Sequence, residues 1–182
     1  MSPSARGTLD WRPTADHPEL LAPAVAAAIH LVPEALVAES DASLADTAAF
    51  CAANDVALAA SANCVVVAGR RGDETRTAAV MVLATHRADV NGVVRKRLDA
   101  RKASFAPMDE AVPDTGMEFG GITPVGLPEW PILVDDAVAE AGDVVIGAGI
   151  RGAKLLVPAA ALLRLPLAER LELARPVPPP SA

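Results

Sequence analysis

Seven consecutive residues, Gly120-Gly121-Ile122-Thr123-Pro124-Val125-Gly126, combine three glycines with a proline. Such a segment can bring backbone N–H groups close to a ligand. Glycine admits φ > 0 and carries no side chain to hold the ligand away, and proline stiffens the bend. N–H groups gathered in this way suit a carbonyl oxygen or an anion. We read this loop as the centre of a site; by spacing alone, a plain tight turn is the default.

A second glycine run, Gly147-Ala148-Gly149-Ile150-Arg151-Gly152, matches G-x-G-x-x-G and follows a strand-like stretch. A dinucleotide fingerprint needs a helix directly after the glycines, so that a pyrophosphate meets the helix N-terminus. Here Ala153-Lys154-Leu155-Leu156-Val157-Pro158 follows, which reads as a strand, and only 30 residues remain after Gly152. A tight loop between two strands fits better than a nucleotide-binding oxidoreductase. Arg151 could meet a phosphate or carboxylate from that loop, or make a surface salt bridge.

His17, His30 and His86 lie far apart, and no metal-ligand spacing joins them to a cysteine or carboxylate. No P-loop or G-x-S-x-G is present, nor a Cys–His spacing typical of a nucleophile. Cys64 reads as a small core residue. Asp135-Asp136 could do acid–base work or could cap a helix.

The elements that must position these groups alternate irregularly. Residues 1–17 read as a loosely ordered segment, 18–170 as one domain, and 171–182 as a proline-rich tail. Leu20 to Val37 reads as a helix interrupted near Pro33. Leu44 to Ala53 reads as a second helix, capped by Asp41 or Ser43. Residues 64–83 form a hairpin with its turn at Arg70–Glu74. Asp89 caps a helix to about Leu98 with Val90, Val93, Val94 and Leu98 on its apolar stripe, although Arg97 falls within that stripe. Residues 103–106 make a short strand, and Pro107 opens a short helix. Ile132–Val134, Asp143–Ile146 and Ala153–Val157 are further strands, and Pro158 opens a last helix. The fold class is α/β of α+β character: a mixed, partly closed β-sheet surrounded by short helices.

Hydrophobic residues make up 52% of the chain and aromatic residues 3%, so the core must be built of Ala, Val and Leu. The most apolar stretch, Leu20 to Ala38, is broken by Pro23, His30, Pro33 and Glu34, whereas a membrane span needs about 20 mostly apolar residues. Met1 to Pro13 lacks the apolar centre of a signal peptide, and two cysteines do not make a disulfide scaffold. A cytoplasmic protein without membrane attachment is expected.

The net charge of −7 is unevenly spread: −6 over residues 1–69, +5 over 70–102 and −6 over 103–182. An acidic chain is a poor general binder of nucleic acid, but one basic band can hold a polyanion locally. Arg95, Lys96, Arg97, Arg101 and Lys102 form the densest part of that band, and fit equally the solvated face of a helix.

The Gly120–Gly126 loop closely resembles the GGI(S/T)P(L/V/F)G loop of the YbaK/EbsC-type aminoacyl-tRNA deacylases, a domain also found as the editing module of bacterial prolyl-tRNA synthetases. Other segments agree in order over about residues 55–165. Asn63-Cys64-Val65-Val66-Val67 resembles the first hairpin strand, and Asp89 to Lys102 the basic helix. Ala103–Pro107, Ile132–Asp135 and Val144–Gly152 resemble later strands and loops. The resemblance implies hydrolysis of the ester between a wrong amino acid and a tRNA 3′ end, without metal or other cofactor. It further implies a partner in the aminoacylated tRNA acceptor end, and an aminoacyl-tRNA synthetase as a further partner. Gly120, Gly121, Ile122, Thr123 and Pro124 would form the carbonyl-holding loop. Asp135, Gly147, Gly149 and Arg151 would line the substrate pocket, and Arg95, Lys96, Arg101 and Lys102 would meet tRNA.

One position departs from the resemblance. The family's catalytic lysine falls at Asn63, which can donate a hydrogen bond but carries no charge. Three readings stand open. Asn63 orients substrate while the loop does the chemistry; Arg70, Arg76 or Lys154 reaches the site; or the protein binds a tRNA end or other ligand without cleaving it.

Overall fold

A computed structural model describes residues 4–44 and 46–178. In chain order its strands are β1 (Arg12–Pro13), β2 (Leu36–Glu39), β3 (Ala62–Arg71), β4 (Glu74–Leu83), β5 (His86–Ala88), β6 (Lys102–Phe105), β7 (Ile132–Asp135), β8 (Asp143–Gly147), β9 (Ala153–Pro158), β10 (Ala168–Leu171) and β11 (Ala174–Pro176). The helices are α1 (Pro23–Ala28), α2 (Thr47–Ala53), α3 (Arg95–Arg97), α4 (Met108–Thr115), α5 (Asp136–Ala139) and α6 (Ala159–Leu162). Among the described residues no helix is long and apolar enough to cross a membrane.

The strands form a five-stranded sheet in the order β10-β7-β4-β3-β6, a four-stranded sheet β1-β2-β9-β8 and a two-stranded ribbon β11-β5. The β3–β4 hairpin is the spine, paired without a break from Ala62↔Leu83 to Arg71↔Glu74. β7 joins β4 in parallel and β6 joins β3 antiparallel. A single bridge, Ser61↔Val145, ties the start of β3 to β8, so the two larger sheets touch at one corner and splay apart from it.

Period-2 alternation explains how β4 is buried on both faces. Ala79, Met81 and Leu83 face a core shared with Val37, Val134, Ile146, Leu155 and Leu162. Ala78 and Val80 face a second cluster with Val67, Val94, Leu98 and Leu173. The expected Ala/Val/Leu interior is what fills both. A third cluster holds Phe50, Cys51, Val56, Val145 and Leu156, with Trp11 and Leu44 packed against it.

Several elements differ from the sequence reading. Residues 4–17 are tied down rather than loose: Ser4 bridges Val56, Trp11 donates its indole N–H to the Arg6 carbonyl at 2.7 Å, and β1 pairs with β2. The segment 20–37 is not one helix. Pro33 disfavours helical geometry for the residue before it, and Leu36–Glu39 instead pairs along β9. α2 starts at Thr47 with Asp46 as its cap, while Asp41 accepts bonds from Ser43 in its own local turn. Asp89 caps as expected, but the first turn is π-type and only Arg95–Arg97 are α-helical. Arg97 swings out of the apolar stripe to pair with Glu169. Within the expected tail, β11 pairs with β5; residues 179–182 lie outside the described residues.

Candidate active site

The two glycine runs lie against each other, backbone on backbone. Gly149 N–H donates to the Gly121 carbonyl at 2.8 Å, and Glu118 N–H donates to the Gly149 carbonyl at 2.8 Å. A Cβ at Gly147 would sit 2.3 Å from the Gly121 oxygen, and one at Gly121 would sit 2.7 Å from the Ile150 carbonyl group. This close approach accounts for the G-x-G-x-x-G pattern, and β9 rather than a helix follows it.

Gly120 has φ +86°, in the left-handed region, and is exposed at the rim of a cavity of about 640 Å³. The cavity lies where the two large sheets diverge. Its floor is the start of β3 (Ser61–Val66) and the end of β8 (Val145–Gly147), and its wall includes α2 and the glycine loop. Gly120 and Ile122 line it, and their N–H groups have no partner among the described residues. Gly121 N–H is already committed to the Glu118 carbonyl at 2.9 Å. Thr123 and Pro124 are buried behind the loop and do not line the cavity; the Thr123 hydroxyl has no hydrogen-bond partner among the described residues. The loop therefore divides into a ligand-facing half and a supporting half.

Asn63 lines the same cavity. Thr47 donates its hydroxyl to Asn63 Oδ1 at 2.9 Å, which leaves the Asn63 amide N–H groups available as donors. Cys64 lies beside it, and burial pushes its thiol up to about 12. A thiol held neutral is no nucleophile at ordinary pH.

Among the described residues one charged side chain lines the cavity, Lys154 from β9. Its Nζ stands 5.0 Å from the centre of the Phe50 ring, and burial lowers its pKa below the usual lysine value. The sequence reading considered Lys154 only as a substitute for the missing lysine. The signal was a lone lysine inside an apolar strand.

Other expected pocket residues lie elsewhere. Of the second glycine run, Gly147 lines the cavity and Gly149 and Arg151 do not. The Arg151 guanidinium donates to the Ala42 carbonyl at 3.0 Å. Asp135, 2% exposed, is outside the cavity altogether. It caps α5 through Ala137 N–H and accepts from Leu173 N–H at 3.0 Å and Ala174 N–H at 2.8 Å. It is a structural clasp that fastens the C-terminal segment to β7. Removing it leaves three buried N–H groups without their anion. Asp135→Ala is therefore expected to destabilise the fold by roughly 2–3 kcal/mol, read as a lower midpoint in urea unfolding.

The basic band divides by pairing. Arg71 and Arg76 reach Asp99, and Arg97 reaches Glu169. Arg70, Arg95, Arg101 and Lys102 make no ion pair among the described residues and line a groove of about 530 Å³. Arg95 is held in place by bonds to the Asn91 and Ala100 carbonyls. Lys96 is exposed and lies outside the groove; Arg70, which the sequence reading did not assign to tRNA, lies within it. Groove and cavity share Phe105 and Pro107. Phe105, Met108 and Phe119 stand 62%, 53% and 58% exposed at the cavity mouth, an apolar rim open to solvent.

Mixed sheets around an apolar cavity, with a glycine loop on one wall and a cationic groove at the mouth, define an α/β domain suited to a ligand that is apolar at one end and anionic at the other. The chain belongs to the aminoacyl-tRNA editing domain family, whose pattern matches residues 41–165. None of the curated proteins matches the sequence. Among solved structures, one described as a candidate trans-editing enzyme for prolyl tRNA synthetase is 22% identical, with a TM-score of 0.72 over 85% of this chain and 96% of that one. The hypothetical protein APE2540 is 23% identical, with a TM-score of 0.63 over 72% of this chain and 85% of that one. A scaffold protein used for epitope backbone grafting is 19% identical, with a TM-score of 0.69 over 86% of this chain and 97% of that one. At these identities the likeness carries the fold: a mixed α/β arrangement of several sheets and short helices.

Proposed function

We propose that the protein hydrolyses, in trans, the ester linking a wrong amino acid to the 3′ end of a tRNA. The observation that carries this reading is the continuity of the cavity with the groove. A closed apolar space of amino-acid size opens past Phe105 onto four unpaired cations. An acyl group would enter the cavity and the terminal phosphates would follow the groove. Phosphate contacts of this kind position without reading sequence.

Ester hydrolysis develops negative charge on the carbonyl oxygen, and fixed donors stabilise that state more than the ground state. The N–H groups of Gly120 and Ile122 and the Asn63 amide are the neutral donors at hand. A water attacks the carbonyl carbon, and the ribose oxygen leaves with a proton. Editing of this kind is needed because a binding pocket separates amino acids that differ by one methylene by only roughly 1–3 kcal/mol.

The test is a panel of mischarged tRNAs, followed by release of the free amino acid. At least one ester is expected to decay faster with the protein than without it. A flat panel with tRNA binding intact would favour a second reading, motivated by the uncharged residue at position 63: a silent homologue that binds without cleaving. Activity gained in Asn63→Lys and absent from the parent would establish that second reading.

Phe105 supplies a separate check. An exposed aromatic between an acyl cavity and a phosphate groove is placed to stack on the terminal base, and such stacking contributes about 1–3 kcal/mol. Phe105→Ala is expected to raise KM for a cleaved substrate about tenfold, with kcat little changed. An unchanged KM would remove the stacking role.

A further inference from the structure

Lys154 is a cation where the fold gives a cation little support. β9 sends Ala153 and Leu155 into the main core, while Lys154 lies on its other face, towards Phe50 and the cavity. It makes no ion pair or hydrogen bond through Nζ among the described residues. The titratable groups near it are the Cys51 thiol from α2 and, in the cavity wall, the Cys64 thiol from β3, both pushed upward by burial. No carboxylate lines the cavity. A lysine that merely supported the fold would have an acid beside it or would carry its head out to water. This one keeps a largely desolvated ammonium on an aromatic face, at the wall of the space that would receive an acyl group.

We propose that Lys154 is the charged donor of the site, its ammonium holding the acyl oxygen of the ester, with the Asn63 amide as the neutral donor sharing the cavity. The proposal rests on the editing reading. It moves the positive charge that the resemblance puts at position 63 on β3 across to β9. Attack by water turns the carbonyl π pair onto the acyl oxygen, where the Lys154 N–H groups receive it. As the tetrahedral species collapses, the C–O bond to the ribose breaks, and the ribose oxygen takes the proton given up by the attacking water. Lys154 stays protonated throughout, and the products are a free amino acid and a tRNA 3′ hydroxyl.

Kinetics and spectroscopy test this together. Lys154→Met is expected to lower kcat at least a hundredfold on whichever mischarged tRNA the wild type cleaves, and Lys154→Arg to restore part of that loss. Because the ammonium is the working form, enzyme-catalysed cleavage (uncatalysed hydrolysis subtracted) should fall as pH rises through a value below the model lysine value of 10.5. That alkaline limb should vanish in Lys154→Arg. The chain has three lysines, Lys96, Lys102 and Lys154, so their side-chain Cε resonances are readily separated by NMR. The Lys154 signal should titrate below the other two. It should also move on addition of the alanyl amide of 3′-amino-3′-deoxyadenosine, an analogue that resists hydrolysis, with Lys96 unmoved. Wild-type cleavage by Lys154→Met, or a Lys154 signal indifferent to the analogue, overturns the proposal. A wild type inactive on the whole panel, but whose Lys154 signal responds to the analogue, sinks the editing reading and leaves Lys154 as an acyl-oxygen donor.

Discussion

Gly120→Ala is expected to reduce deacylation about a hundredfold or more while shifting the unfolding midpoint by only a few degrees. The backbone at Gly120 has φ +86°, which an L-residue adopts at a penalty of roughly 1–2 kcal/mol. A Cβ there would meet only the Arg151 side chain, at 3.9 Å, so nothing in the packing forces the fold to give way. The strain instead relaxes by rotating the peptide units around residue 120. Those units carry the Gly120 and Ile122 N–H groups, the two unpartnered donors of the loop. Losing one donor to a developing oxyanion typically costs about 2.7–4 kcal/mol of transition-state stabilisation. Gly147→Ala is the contrasting variant. Its Cβ would fall 2.3 Å from the Gly121 oxygen, so the loop must be pushed bodily off β8, and activity and stability should fall together. Activity and thermal-melt measurements on the pair separate a site held by backbone angle from one held by contact. Wild-type kcat in Gly120→Ala would remove the loop from the chemistry.

Local signals were legible wherever one segment's own pattern decides its structure. The β3–β4 hairpin announced itself by two apolar runs around a polar turn, and it is the spine of the fold. Pro107, Asp89 and the glycine loop likewise mark their own geometry. The unread parts depend on partners distant in sequence. Leu36–Glu39 looks like the end of a helix until β9, more than a hundred residues later, offers it a ladder. Asp135 looks like a pocket acid, and a sequence cannot show that the N–H groups of Leu173 and Ala174 come back to claim it. The basic band looked uniform. Only the fold shows that Asp99 and Glu169 neutralise three of its arginines and leave Arg70 with the groove. Lys154 was hidden for the same reason. A lysine in an apolar strand is ordinary until Phe50 and the cavity are seen to face it.

Lys154→Met is expected to melt a few degrees higher than the wild type at neutral pH while losing nearly all activity. Burial disfavours the charged form of this amine and lowers its pKa in the folded chain. The sign follows from proton counts. Between the depressed folded value and the unfolded value, the unfolded chain holds the extra proton, so stability rises with pH across that window. Below the folded value both states are protonated and the full penalty for burying the ammonium applies. It fades as pH climbs towards 10.5. A methionine of similar length keeps the contact with Phe50 and escapes the penalty, a gain of about 0.5–2 kcal/mol, in the range of single stabilising substitutions. For a chain of 182 residues that is a rise of a few degrees. The gain should shrink as melts are repeated at increasing pH, because the wild-type lysine becomes neutral in both states. A residue that stabilises the fold cannot behave this way. If Lys154→Met melts lower at every pH, the lysine stem is a packing element and the cation has no cost to be relieved. A gain in stability that accompanies a loss of cleavage is what a charge kept in an apolar cavity for its chemistry would give, since the field that makes it unwelcome in the ground state is the field that a developing oxyanion meets.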